Sequence, residues 1–153
     1  MSRKHLKMAA VLAVGALALS ACTSKNESSS VGSTPASGGE AVTVAFVPKL
    51  QGIPYFEAMN AGGQKAAEEL GIEWLYQGPT TADAAAQSEI VRAFIQQKVD
   101  VLVVAPNDPD SMAPLLQEAQ DAGIRVATSD TDAPNSVREL FVNQTTPENH
   151  GRA

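Results

Sequence analysis

Two short, nearly continuous apolar runs rich in β-branched residues constrain this chain more than any other feature. They are residues 41–47 (AVTVAFV) and residues 99–105 (VDVLVVA). Such runs are too short for core helices and too uniformly apolar for strands with one wet face. They read as strands buried on both faces, the pattern of parallel sheets. Parallel strands need crossover connections, and the segments between the runs have helical period. Over residues 55–70, Phe56, Met59, Gly63, Ala66 and Leu70 recur at helical spacing, and Gly71 stands where a helix-ending residue belongs. Gly62 and Gly63 cost about 1 kcal/mol each relative to Ala inside a helix; close helix–sheet packing is one reason to keep them.

The remaining elements follow the same rhythm. Residues 72–77 alternate Ile72, Trp74 and Tyr76 against Glu73, Leu75 and Gln77, a half-exposed strand at a sheet edge. Asp83 or a neighbour caps a helix running to residue 98, with Gln87, Ile90 and Phe94 on one face and Val91 and Ile95 beside them. Pro109 suits the first turn of a third helix carrying Met112, Leu115, Leu116 and Ala119 and closed by Gly123. Residues 124–128 form a fourth strand and residues 139–142 a short fifth. A helix begins at Pro147 and is not completed. The order β-α-β-α-β-α-β-loop-β predicts an α/β, doubly wound parallel sheet with helices on both faces. A flavodoxin-like strand order puts the second strand at an edge.

The first forty residues lie outside this rhythm. Arg3, Lys4 and Lys7 precede an apolar or small run from Met8 to Leu19. That run falls short of the about 20 residues a membrane-spanning helix needs and suits a secretory signal. Leu19-Ser20-Ala21-Cys22 resembles the lipobox of bacterial lipoproteins, which implies cleavage before Cys22 and a lipid-bearing thioether on it. The chain has one Cys, which excludes an intrachain disulfide and any multi-Cys metal site. A nucleophilic Cys would need a nearby base to make its thiolate, and none is adjacent. Residues 1–21 are therefore expected to be a lipoprotein signal peptide. Residues 22–40, rich in Ser and Gly, are expected to be a flexible tether, and residues 41–153 the folded lobe.

Charge narrows the function classes. The net charge of −6 comes from 11 basic and 17 acidic residues and argues against nucleic acid, which demands a basic face. Removing residues 1–21 takes three basic residues and no acidic one, leaving 8 against 17, or −9. Lipid, not charge, would hold the mature chain to a membrane, outside the cytoplasm at the periplasm or cell surface.

In doubly wound sheets ligands bind beyond the carboxyl ends of the strands. That rule selects Lys49, Gln51, Tyr55 and Phe56 after the first strand and residues 77–83 after the second. It selects Asn107 and Asp108 after the third, Asp130, Thr131 and Asp132 after the fourth, and Asn143 and Gln144 after the fifth. Helices start from these loops too, so turn and cap roles compete with function; Asn107 and Asp108 are candidates for a helix N-cap. Phe56 lies on the apolar stripe and is expected in the core, which leaves Tyr55 for the cleft. No dinucleotide fingerprint, phosphate-binding loop or nucleophile elbow is present. His150 is the one histidine beyond the signal, so catalytic triads lack material. Asp130 with Asp132 offers a Mg²⁺-dependent enzyme as an alternative. The planar Asp, Asn and Gln termini, one Lys and an aromatic pair suit a hydroxyl-rich ligand. No cofactor or metal is expected.

The stretch Val44-Ala45-Phe46-Val47-Pro48-Lys49-Leu50, with Gly52, Tyr55-Phe56, Leu70-Gly71-Ile72, Gly78-Pro79-Thr80, Asp100-Val101-Leu102-Val103-Val104 and Asn143-Gln144, resembles the sugar-type periplasmic binding proteins of ABC importers. The similarity is to their rhamnose and autoinducer-2 branch and covers about residues 41–150. It implies a ligand clamped between two α/β lobes of the type I binding-protein fold, of which this chain carries the N-terminal one. It implies that Lys49 and Asp130 contact ligand oxygens and that Tyr55 and Phe56 line the pocket. Asn107 departs from the apolar residue expected for autoinducer-2 binding and leans towards a sugar. The resemblance further implies an importer permease as partner, a lipid-anchored monomer, and no enzymatic activity. The chain is expected to be a fragment, with a natural single lobe as the alternative. A sensory module presenting its ligand to a membrane receptor would use the same clamp.

Overall fold

In the computed structural model the described residues are 41–150 and 152. The expected signal peptide, Cys22 and tether lie outside them. Nine elements follow in order: β1 (Thr43–Val47), α1 (Pro54–Leu70), β2 (Glu73–Tyr76), α2 (Ala84–Gln97), β3 (Val101–Val104), α3 (Pro109–Asp121), β4 (Arg125–Ser129), β5 (Leu140–Val142) and α4 (Pro147–His150). The strands form one sheet in the order β2-β1-β3-β4-β5, with every pairing parallel. This is the doubly wound, flavodoxin-like sheet expected from the alternation, with β2 at one edge.

Strand ends shift by one or two residues from the sequence expectation, where side-chain pattern runs past the last ladder bond. Helix ends follow their chemistry. Pro54 starts α1, where its missing N–H costs nothing. The Asp83 side chain accepts from Ala86 N at 2.6 Å and caps α2. The Asp108 side chain accepts from Ser111 N at 2.7 Å and caps α3. Gly71, at φ 68°, closes α1 in the left-handed conformation that a glycine adopts without strain.

Two cores flank the sheet. Beneath α2 and α3, Ala45, Val47, Leu102, Val104 and Val126 meet Val91, Phe94, Met112 and Leu116. On the opposite face Phe46 and Ala105 meet Phe56, with Met59, Trp74, Tyr76 and Val103 packed around them. β3 corrects one expectation: Leu102 and Val104 are buried, whereas Val101 and Val103 are half-buried. Two helices cover the first face and α1 lies over part of the second. The stripe of α1 is corrected as well: Ala67, not Ala66, is buried, and Leu70 is 72% exposed. Gly63 has the packing reason its helix position demanded, since a Cβ there would stand 2.2 Å from the Trp74 ring. Gly62 faces open space and has no such reason.

Candidate functional site

The strand order reverses between β1 and β3, since β1 connects outward to β2 on one side and the chain then returns to β3 on the other. The loops leaving β1 and β3 diverge there to opposite faces and leave a crevice, the switch point where such sheets bind ligands. Lys49 follows β1 and Asn107 follows β3, one on each side of it.

Asp130 joins them from the end of β4. Its backbone sits at φ 62°, a left-handed conformation that Asp tolerates better than most residues, and its N–H donates to Val142 O at 3.1 Å. β5 thus holds the turn that aims the carboxylate. Lys49 Nζ lies 3.0 Å from Asp130 Oδ2, with the two side chains 31% and 21% exposed. The Tyr55 hydroxyl donates to Asp130 Oδ1 at 2.8 Å, and Thr131 Oγ1 donates to Oδ2 at 3.3 Å. One carboxylate therefore gathers an ammonium and two hydroxyls from three segments of chain. Burial raises the Asp130 pKa, but the Tyr55 and Lys49 contacts, with Thr131, outweigh it and hold the carboxyl below its ordinary value. Burial, together with the bond to Asp130, pushes the Tyr55 phenol up to about 12.

Asn107 is half-buried and donates from Nδ2 to Lys49 O at 2.8 Å. Beneath it lies a residue that the strand-end rule does not select. Gln87, on the inner face of α2, is fully buried. Its Nε2 donates to Pro48 O at 3.0 Å and Ala105 O at 2.8 Å, and its Oε1 accepts from Asn107 N at 2.8 Å. The signal that could have found it is a lone amide on an apolar helix face. Burying an amide unpaired costs roughly 2–7 kcal/mol, so such a residue must have polar partners.

The other candidates divide. Phe56 is 3% exposed and in the core, as its stripe indicated, and its ring meets Tyr55 edge-on with centroids 5.0 Å apart. Tyr55 is 44% exposed at the crevice. Asp108 is engaged as the cap of α3, so the structure gives its carboxylate a structural task. Asn143 is exposed and accepts from Thr145 N at 3.5 Å. Gln144 donates to Met59 Sδ at 3.4 Å, on the α1 side of the sheet. Neither side chain is hydrogen-bonded to Lys49 or Asp130. Asp132 pairs with Arg138 through both guanidinium Nε and Nη2, the latter at 2.7 Å, and accepts from Thr128 Oγ1 at 3.0 Å. Asp130 and Asp132 are thus each neutralised by a different cation. No group of three or more metal-ligating side chains converges among the described residues.

Comparison with known proteins agrees with this fold. Residues 44–153 match the family described as periplasmic binding protein domain. The chain belongs to that family. The D-ribose/D-allose-binding protein of Pseudomonas aeruginosa is 32% identical over 121 residues, which is 76% of this chain and 37% of that one. Among solved structures, LsrB from Clostridium saccharobutylicum in complex with AI-2 is 39% identical. It superposes with a TM-score of 0.69 over 72% of this chain and 34% of that one. A solute-binding protein of an ABC transporter from Clostridium phytofermentas, with bound L-rhamnose, is 32% identical, with a TM-score of 0.66 over 71% of this chain and 34% of that one. The chain spans about a third of the length of these relatives. The matched family is one of binding domains and the relatives are described as binding proteins or with a ligand bound, which stands against the metal-dependent enzyme.

Proposed function

We propose that this chain forms one wall of a two-lobe clamp that binds a small hydroxylated ligand, a sugar or an autoinducer-2-like molecule, for an ABC importer. The observation that carries the proposal is the Lys49–Asp130–Tyr55 cluster at the switch point of a periplasmic-binding-protein sheet. A carboxylate already neutralised by an ammonium has no net charge to offer an ion. It does offer a fixed acceptor and donors for hydroxyls, in charge-assisted hydrogen bonds. The exposed Tyr55 ring supplies an apolar face beside them. Asn107 adds an amide at the same edge and favours the sugar. Phe56 acts from the core, by supporting Tyr55, and Asp108, Asn143 and Gln144 make the periphery of the site. Cys22 carries lipid that tethers the lobe to the membrane outside the cytoplasm, with residues 22–40 as spacer.

Calorimetry of the two-lobe protein, this chain completed by a second lobe, with L-rhamnose, D-ribose, D-allose and autoinducer-2 tests the ligand class. Heat from one of them, reduced in Asp130→Asn, is expected; no heat from any would overturn the class. Metabolic labelling with an alkyne fatty acid tests the anchor. Label on the wild type and none on Cys22→Ser is the expected result, and equal label on both would remove Cys22 from the proposal.

A further inference from the structure

We infer that Gln87 is the positioning residue of the proposed site, setting Lys49 and Asn107 in register although it hydrogen-bonds to neither side chain. α2 buries Gln87, Val91, Phe94 and Ile95, and Gln87 is the one polar residue among them. All three of its hydrogen bonds go to backbone at the ends of two neighbouring strands: Pro48 just after β1, Ala105 just after β3, and Asn107 two residues further on. The ring then closes. Asn107, held through its N–H, donates from Nδ2 to the carbonyl of Lys49, and Lys49 directly follows the Pro48 whose carbonyl Gln87 holds. The peptide units on both sides of the Lys49 Cα are therefore fixed, one by Gln87 and one by Asn107. From that backbone the Lys49 side chain reaches Asp130.

The parallel ladder pairs Phe46 with Val103 and Val47 with Val104 and ends there, apart from the Ala105 N–H to Val47 O bond. Beyond it the two loops part towards opposite faces. Gln87 bridges them at the point where the ladder stops, and its zero exposure keeps water from competing for the three bonds. A hydrophobic residue there would fill the core equally well but leave two carbonyls and an N–H without partners. The fit is specific to an amide, since two acceptors and one donor must be met by one side chain.

The inference rests on the ligand-site reading only for its effect on affinity, so the primary readout needs no ligand. Nitrogen-detected NMR of the chain follows the Asn107 side-chain amide and the Lys49 ζ-ammonium, neither of which is hydrogen-bonded to Gln87. Gln87→Met is compared with Val91→Ala, a cavity one turn along the same buried face. In Gln87→Met both signals are expected to shift and their exchange with water to rise about tenfold, with Val91→Ala leaving them in place. Unmoved signals in Gln87→Met, or equal movement in both variants, would reduce Gln87 to a core residue and overturn the inference. If Gln87→Met does not fold, Gln87→Glu keeps the acceptor for Asn107 and loses at least one of the two donated bonds, and is read the same way. Failure of both to fold while Val91→Ala folds also overturns it. In calorimetry of the two-lobe protein with L-rhamnose and autoinducer-2, Gln87→Met is expected to weaken binding about tenfold and Val91→Ala to leave it within about twofold. Wild-type protein that binds neither would count against the ligand class, and the NMR result would still decide the role of Gln87.

Discussion

Replacing Asp130 by Asn probes the cluster with the least disturbance, because Asn keeps the shape and tolerates the left-handed φ of 62°. What it removes is charge. The half-exposed pair with Lys49 contributes about 0.2–1 kcal/mol, as partly solvated ion pairs do. The Tyr55 hydroxyl can still donate to an amide oxygen, so the loss there is the charge-assisted part of a hydrogen bond, about 1 kcal/mol. A few tenths return because Asn suits the left-handed region, leaving an expected destabilisation of about 1–1.5 kcal/mol at pH 7. The sign with pH follows from the depressed carboxyl pKa. A carboxyl whose folded value lies below its unfolded one contributes fully above the unfolded value and loses that contribution as pH falls through the folded one. The difference between wild type and variant should be constant above about pH 5 and shrink steadily below about pH 4. Urea unfolding of both proteins across that range measures it. A difference under about 0.3 kcal/mol at pH 7, or one that persists undiminished at acid pH, would refute the assignment of energy to these contacts.

Other perturbations separate packing from chemistry. Gly63→Ala places a methyl against the Trp74 ring and should cost about 1–3 kcal/mol by overpacking, whereas Gly62→Ala meets nothing and should gain about 0.5–1 kcal/mol; thermal melts compare them. Asp83→Ala removes the cap of α2 and should cost about 1 kcal/mol, with Asp83→Ser recovering most of it. The Tyr55 phenol is raised to about 12, so its contribution is whole below the unfolded value of about 10 and fades as pH climbs from there. Stability measured between about pH 10 and 12 should therefore fall less steeply in Tyr55→Phe than in the wild type; equal slopes would contradict the raised value.

Much of the architecture was legible in residue order alone. Apolar β-branched runs separated by helical periods leave few alternatives to a parallel sheet, because burial on both faces and a long crossover are both written locally. The alternation in residues 72–77 placed β2 at an edge, where it lies, but its wet face was misjudged: Leu75 is half-buried against one core as Trp74 and Tyr76 are against the other. The rule that ligands lie beyond strand ends then selected Lys49, Tyr55 and Asp130 before any distance was known. Sequence also placed Phe56 in the core and Tyr55 at the crevice, from a one-position difference in helical phase.

Tertiary structure alone decided what those residues do to one another. Tyr55 and Asp130 are 75 positions apart in the chain and hydrogen-bonded in space, and no local pattern encodes such a pairing. It depends on the order β1-β3-β4 in a parallel sheet, which puts the loops after β1 and β4 at the same end of the sheet, two strands apart and within reach of long side chains. The same closure separated carboxylates that looked alike in sequence: Asp108 caps a helix, Asp132 pairs with Arg138, and Asp130 holds Lys49. Gln87 carries the lesson furthest. Its spacing assigned it to a buried face, yet only the convergence of two strand ends showed the three backbone groups that an amide there must satisfy.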